Sequence, residues 1–133
     1  MDVGWTNDGK KLASAGADNI VKVWDYEKGE KLRDIAAAAK QVTRLIFVPK
    51  TANFITAAGD SGAKLWNAES GSSSKSYDGG KDFLYAVAVS EDGKTVATGG
   101  EDGIARLYIS GGVVKSLLPP GEEMPKDEPK KKK

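Results

Sequence analysis

The sequence contains no cysteine and no histidine. Without cysteine the chain forms neither disulfides nor thiolate metal sites, and without histidine it lacks the commonest general base and the commonest zinc ligand. It also lacks the run of roughly 18–20 apolar residues that a transmembrane helix needs, and residues 1–8 have neither the basic start nor the apolar segment of a signal peptide. These absences argue against independent catalysis, lead us to expect no cofactor and no metal, and leave a cytoplasmic location as the default expectation.

Charge is almost balanced, with 20 Lys and Arg against 19 Asp and Glu. Five lysines and four acidic residues lie within residues 121–133, so the rest of the chain is neutral. A neutral body offers no electrostatic footprint for nucleic acid. The acids of the same segment also weaken the field of Lys130–Lys133 at a phosphate or an anionic lipid. We therefore expect neither nucleic acid nor a membrane among the partners.

One pattern recurs at a spacing of 42 residues. Each copy has a hydroxyl residue, an aspartate four positions later, and an aromatic ring six positions after the aspartate. The copies are Ser14, Asp18 and Trp24; Thr56, Asp60 and Trp66; and Thr98, Asp102 and Tyr108. A period of about 40–45 residues that closes on a Trp-Asp pair is typical of propeller blades. We interpret these positions as a structural blade motif.

Each repeat also divides into four short segments of alternating hydrophobicity, separated by turn signals such as Asp8-Gly9. The sequence therefore predicts an all-β fold with three four-stranded units, at about residues 1–35, 42–77 and 84–118. The outer strand near Ser72–Tyr77 is expected to be weak or partly disordered because Ser and Gly pack little surface. Residues 119–133, rich in Pro, Glu and Lys, are predicted to be a disordered tail.

Together, the repeated aspartate, the regular spacing and the closing Trp24 and Trp66 resemble the WD-repeat β-propellers. The resemblance covers residues 1 to about 118. It implies that each repeat forms one four-stranded antiparallel blade, and that the blades are arranged around a central channel. It also implies that the indole N–H groups of Trp24 and Trp66 donate hydrogen bonds to the hydroxyls of Ser14 and Thr56.

Family members often extend this bond through a histidine to the turn aspartate, and this chain departs from that pattern. Counted back from the inner strands of the second and third repeats, the histidine positions hold Ala38 and Gly80. In the third repeat Tyr108 also replaces the tryptophan. We therefore expect Asp60 and Asp102 to depend on backbone N–H groups of their own turns, or on water.

Three blades are too few for a closed ring, since propellers close with roughly 4–8 blades. The expected fold is therefore an incomplete propeller. Met1 aligns with Thr43 and Tyr85, so the first repeat begins inside its inner strand. Three explanations stay open: the chain is a C-terminal fragment of a longer propeller protein, identical chains associate to complete the ring, or a different chain completes it.

The function that the resemblance implies is a non-catalytic protein–protein interaction module or scaffold, with partners of unknown identity. The alternative is an accessory propeller domain of a larger enzyme or multidomain protein whose N-terminal part is missing here. In WD-repeat proteins, partners usually dock on the loops that join the blades, which here hold Lys40, Gln41, Arg44, Lys81, Asp82, Phe83 and Tyr85. Phe83 and Tyr85 are the main candidates because exposed aromatic residues anchor interfaces. In the other interpretation, Phe83 covers the seam between the second and third blades.

Overall fold

The computed structural model describes residues 1–109 and 112–117. The predicted tail at 119–133, including the four terminal lysines, lies outside the described residues. Within them, the chain forms three separate antiparallel sheets of four strands each. This arrangement confirms the predicted all-β fold of three blades in a ring that, over the described residues, is not closed.

Each blade is built from consecutive strands, so its strand order follows the chain. Blade one has β1 at Asp2–Trp5, β2 at Lys11–Ala15, β3 at Ile20–Asp25 and β4 at Glu30–Ala36. Blade two has β5 at Val42–Phe47, β6 at Asn53–Ala58, β7 at Ala63–Asn67 and β8 at Ser73–Tyr77. Blade three has β9 at Leu84–Val89, β10 at Thr95–Gly100, β11 at Ala105–Ile109 and β12 at Gly112–Leu117.

The turns between the first and second strands of blades one and three are fixed by a hydroxyl–carboxylate pair, and we call this end of the sheets the lower end. In blade one, Asp8 Oδ1 accepts hydrogen bonds from Thr6 Oγ1 at 2.6 Å and from Lys10 N at 3.0 Å. The Thr6 hydroxyl, followed by the Lys10 N–H, holds the pKa of Asp8 below its ordinary value. Ser90 and Asp92 repeat the arrangement in blade three. The following glycine in each turn takes the positive φ, 72° and 74°, that the bend requires.

Every blade has two faces, because side chains alternate along its strands. We call the face that carries Trp24, Trp66 or Tyr108 the front face, and the opposite one the back face. The back face of blade one packs against the front face of blade two in a cluster that includes Ala13, Val21, Val23, Leu45, Phe54 and Trp66. The back face of blade two packs against the front face of blade three through Ile55, Ala57, Ala63, Val87, Val96 and Tyr108. The two seams therefore use the same faces in the same order.

Each outer strand carries an irregularity at the same place. The register between the third and outer strands shifts at Val23/Trp24, at Leu65/Trp66 and at Leu107/Tyr108. Such a shift in an antiparallel pair is a β-bulge, which bends the strand and increases its local twist. We refer to these features as the outer-strand bulges.

The outer strand of blade two differs from the expectation. β8 forms a strand along β7, although every side chain from Ser73 to Ser76 is exposed. The prediction of a weak or partly disordered segment was wrong for two reasons. The backbone ladder to β7 does not require side-chain packing, and Tyr77, which is 5% exposed, anchors the end of the strand in the core.

Candidate functional site

The hydroxyl–indole bonds that the resemblance implies are present in blades one and two. The Nε1–H of Trp24 donates to Ser14 Oγ at 3.0 Å, and that of Trp66 donates to Thr56 Oγ1 at 3.0 Å. The second bond is buried because blade one covers the front face of blade two. Each bond ties the second strand of its blade to the third.

In blade three, the replacement of tryptophan by Tyr108 removes this donor. Thr98 is 3% exposed, and among the described residues its Oγ1 has no hydrogen-bond partner. The Tyr108 ring packs edge-to-face against Tyr77, with the ring centroids 5.5 Å apart across the seam. Blade three therefore lacks the hydroxyl–indole bond of the other two blades, and its Tyr108 makes an aromatic contact with the neighbouring blade.

Replacing Thr56 with valine should lower the free energy of unfolding by about 1–3 kcal/mol, because the buried Trp66 N–H loses its acceptor. The same change at Thr98 should be neutral or stabilising, because it removes a buried hydroxyl that makes no bond within the described residues. Both substitutions exchange the same atoms, so urea denaturation of the two variants isolates the hydrogen bond. Equal losses at both positions would contradict this account.

The turn aspartates replace the missing histidine with other donors. One carboxylate oxygen of each accepts the backbone N–H two residues later, at 3.3 Å in Asp18, 3.1 Å in Asp60 and 3.0 Å in Asp102. This is the own-turn bond expected for Asp60 and Asp102 from the sequence. The second oxygen of each aspartate binds a group that sequence reasoning missed.

In blades one and two, the second oxygen binds an ammonium and a backbone amide, respectively. Lys22 Nζ donates to Asp18 Oδ2 at 2.8 Å, and this bond, ahead of the backbone N–H, lowers the pKa of Asp18. Ala39 N donates to Asp60 Oδ2 at 2.7 Å. A signal for the first contact was present, because a Lys or Arg follows each turn aspartate by four residues. No sequence pattern predicts the second contact, between Ala39 and Asp60, because it joins a loop to a turn 21 residues away.

Blade three contains the same aspartate–cation pair as blade one, in a buried form. Arg106 Nη1 donates to Asp102 Oδ2 at 2.7 Å. The side chains of this pair are 1% and 18% exposed, whereas those of Lys22 and Asp18 are 30% and 52% exposed. The difference arises because blade two covers the front face of blade three, and the described structure places nothing over the front face of blade one.

The candidate partner-binding residues lie at the end opposite the Asp8 and Asp92 turns, which we call the upper end. There the loops that join the blades meet the turns of Asp60 and Asp102. The loops are held by two equivalent backbone bonds, from Gly59 N to Gln41 O at 3.0 Å and from Glu101 N to Phe83 O at 2.8 Å. The exposed candidates are Lys40, Gln41, Arg44, Lys81, Asp82 and Tyr85.

Phe83, the remaining candidate, is only partly exposed and sits in the seam between blades two and three. Its ring occupies the space that a side chain at Gly59 would need, because a Cβ built there overlaps the ring. This contact favours the interpretation of Phe83 as a cover for the seam. The same ring lies 5.5 Å from that of Tyr85, centroid to centroid.

Tyr85 is the exposed aromatic group of the upper end, with half of its surface (51%) accessible. Its hydroxyl donates to Glu101 Oε2 at 2.6 Å, and this bond raises the pKa of Tyr85. The ring of Phe83 packs against it at an interplanar angle of 33°. The side chain is therefore held in place while it remains open to solvent.

Arg44 is tied to the neighbouring blade. Its Nε lies 3.3 Å from Asp2 Oδ2, an oxygen that also accepts the backbone N–H of Leu45 at 3.1 Å. The pair joins the inner strands of blades one and two. Arg44 thus adds to the seam as well as to the charge of the upper end.

A cleft of about 370 Å³ lies at the lower end between blades one and two. Its lining carries both signs of charge, including Asp8, Lys11, Lys50 and Glu69. The carboxylate of Asp8 is already engaged by its turn.

Over residues 1–109 and 112–117, no three acidic side chains are placed to hold a metal ion. In that same part of the chain, no helix has the length and apolar character needed to cross a membrane.

Comparison with known proteins gives a family and several relatives. The family model "WD domain, G-beta repeat" matches residues 1–25 and 71–108. Protein tipD of Dictyostelium discoideum is 29% identical over 75% of the chain. The Probable coatomer subunit beta' of Schizosaccharomyces pombe is 31% identical over 74%, and the Target of rapamycin complex subunit LST8 of Mus musculus is 33% identical over 73%.

The chain spans only a small part of these relatives, 16%, 12% and 30% of their respective lengths. The family match includes the whole motif of blade one, from Ser14 to Trp24, and that of blade three, from Thr98 to Tyr108. The three sheets, their shared seams and the indole–hydroxyl bonds have the geometry that the motif implies. The chain belongs to the WD-repeat family.

Proposed function

We propose that this chain is a non-catalytic protein–protein interaction module that binds a protein partner through the upper end of blades two and three. The observation that carries the proposal is the state of Tyr85, an exposed ring held between Phe83 and Glu101. Tyrosine side chains of this kind are frequent anchors of interfaces, because little conformational entropy is lost when they bind.

The charged residues of the upper end also favour it as the binding surface. Lys40 on one loop, Arg44 near the start of β5 and Asp82 on the next loop are exposed at the same upper end. The backbone bonds at Gln41 and Phe83 fix both loops to the sheets. A rim of mixed charge around an aromatic anchor is the usual anatomy of a protein interface.

The relatives favour a role within assemblies. Two of them are named as subunits, one of coatomer and one of a target of rapamycin complex. Binding other proteins is the property that such subunits have in common. We propose that this chain has the same general role, with a partner of its own.

A second candidate is an accessory propeller domain of a larger enzyme or multidomain protein. The observation that favours it is the small share of each relative that the chain covers. Both candidates use the blades for binding and assign the chain no chemistry of its own. A cytoplasmic location and the absence of nucleic acid among the partners stay predictions.

The double substitution Lys40→Glu and Tyr85→Ala tests the upper end. Both side chains are exposed, so the blades should fold and melt as before. Proteins retained from a cell extract by the immobilised chain should fall at least tenfold with this variant, as quantified by mass spectrometry, because the anchor and one charge are lost. Phe83 is left unchanged because its removal would open the space above Gly59.

The control is the double substitution Lys28→Glu and Tyr26→Ala, which makes the same chemical changes at the lower end. Tyr26 is 59% exposed, so its loss should also leave the fold intact. Proteins retained by the wild type and this control, and lost only with the upper-end variant, define the partners. Identical retention by both variants would show that the upper end is not the binding surface.

A further inference from the structure

Arg33, on β4 of blade one, lies against the outer turn of blade two. Its Nη1 donates a hydrogen bond to the backbone carbonyl of Ser70 at 3.2 Å. A Cβ built on Gly71 would lie 3.2 Å from Arg33 Cδ and 3.4 Å from Arg33 Nη1. The guanidinium is therefore seated on the turn that leads from β7 into β8, at the lower end of the molecule.

Most of the hydrogen-bonding capacity of this guanidinium is unused. Arginine has five N–H donors, and within residues 1–109 and 112–117 the Nε–H of Arg33 is buried without a partner. No carboxylate in that part of the chain forms an ion pair with Arg33, and Asp34, the next residue, pairs with Lys31 at 3.0 Å. A half-buried arginine with free donors and an unpaired charge is suited to bind an anion.

Two serine hydroxyls flank the same turn. Ser70 and Ser72 are exposed on either side of Gly71, and their Oγ atoms lie 2.7 Å apart. Ser70 Oγ also accepts the backbone N–H of Ser72 at 3.2 Å, so it helps to hold the turn. The Ser72 hydroxyl, in the described part of the chain, bonds only to Ser70 Oγ. Ser72 can therefore be modified at a smaller structural cost than Ser70.

The strand that follows Ser72 offers the access that a modifying enzyme needs. β8 pairs on one side only, with β7, and its side chains from Ser73 to Ser76 are exposed. Displacing the start of such a strand breaks few contacts, so it opens at a lower free energy than the core strands. A modifying enzyme can therefore reach Ser72 without unfolding the blade.

We propose that Ser72 is a phosphorylation site whose phosphate is bound by Arg33 of the neighbouring blade. A protein kinase transfers the γ-phosphoryl group of ATP to Ser72 Oγ: the bond from phosphorus to the ADP oxygen breaks, the bond to Oγ forms, and the hydroxyl proton is released. Phosphoserine supplies up to two negative charges and three acceptor oxygens, which suit the forked guanidinium. Glu69 is exposed, so water screens its repulsion of the phosphate.

The modification would strengthen the outer part of the first seam. One hydrogen bond, from Arg33 to Ser70, now joins β4 to this turn. The phosphate adds charge-assisted bonds between the same two elements, which are stronger than bonds between neutral groups. This site lies at the end of the blades opposite the surface that we assign to a protein partner, so it does not depend on that assignment.

The occurrence of the modification can be tested on the complete chain. Phosphopeptide mapping by mass spectrometry of the protein recovered from the cells that produce it, with phosphatases inhibited, should locate a phosphate on Ser72. The variant Ser72→Ala should lack it. Absence of phosphate from Ser72 in the wild type under these conditions would overturn the proposal.

The role of Arg33 is tested with the complete chain carrying phosphoserine at position 72, introduced during translation, with Arg33 intact or replaced by Arg33→Met. The phosphate should raise the melting temperature by about 4 °C when Arg33 is present, and should not raise it in Arg33→Met. The matched control carries the phosphate on Ser74, which is exposed on the same strand, and should gain nothing in either background. Equal effects of the Ser72 phosphate in both backgrounds would show that Arg33 does not bind it.

Phosphorus NMR decides the question if Arg33→Met fails to fold, because it compares two proteins that both retain Arg33. A guanidinium beside the phosphate favours the dianion, so the second pKa of phosphorylated Ser72 should lie below that of phosphorylated Ser74. Equal pKa values for the two phosphates would overturn the contact with Arg33.

Discussion

Replacing Asp102 with asparagine is expected to lower the free energy of unfolding by about 3 kcal/mol, because it removes the carboxylate that pairs with the buried Arg106 guanidinium in the seam. Arg106 is 1% exposed, so water cannot take the place of the lost carboxylate. The amide of asparagine can still accept the N–H of Ile104 and preserve the turn. Chemical denaturation with urea measures the loss.

The same substitution in blade one is the matched control. Asp18 holds Lys22 in the same geometry, but both side chains are open to solvent. An ion pair at the surface contributes little because water and salt screen it. Asp18→Asn should therefore leave the unfolding midpoint almost unchanged. If the two variants lose equal stability, burial is not what separates the two pairs.

Replacing Gly100 with alanine is the second change with a large expected effect. A Cβ at this position overlaps the carbonyl oxygen of Phe83, which also accepts the N–H of Glu101 at 2.8 Å. Backbone cannot rotate aside as a side chain can, so the loop must move away from the blade. We expect a loss of about 3 kcal/mol, at the upper end of the range for overpacked sites, and a lower melting temperature.

Gly99 provides the control for this prediction within the same strand. A Cβ there meets no atom within 4 Å, and the aligned residues of blades one and two, Ala15 and Ala57, are already alanine. Gly99→Ala should be neutral or stabilise by about 0.5 kcal/mol, because alanine restricts the unfolded chain. A comparable loss at both positions would mean that strand conformation, and not the contact with Phe83, makes glycine necessary at residue 100.

The fold could be predicted largely because its determinants are periodic in sequence. The spacing from Trp24 to Trp66 and Tyr108 fixes the third strand of every blade, and turn signals divide the rest. Contacts between separate elements were harder to predict. The role of Phe83 depends on the missing side chain of Gly59, and Asp60 is satisfied by a backbone N–H, which every residue except proline carries. Neither contact leaves a pattern in the chain.

The contacts of the turn aspartates could be predicted only in part. Asp18 and Asp102, which lie in turns, are each followed four residues later by a cation on the next strand, whose side chain reaches back to the carboxylate. Asp60 has the same spacing to Lys64, yet its second oxygen binds Ala39 N. The sequence thus contained the possible pairs, whereas the course of the connecting loop determined which of them formed.

The outer-strand bulges affect whether these molecules aggregate at high concentration. β4, β8 and β12 are sheet edges whose outward backbone groups could pair with an edge of another molecule. A bulge twists each edge at the same point, so two such edges do not match over their length. Exposed charges on Lys31, Asp34 and Lys75 further oppose the pairing of two such edges. Uncontrolled growth into fibrils is therefore hindered along the rim.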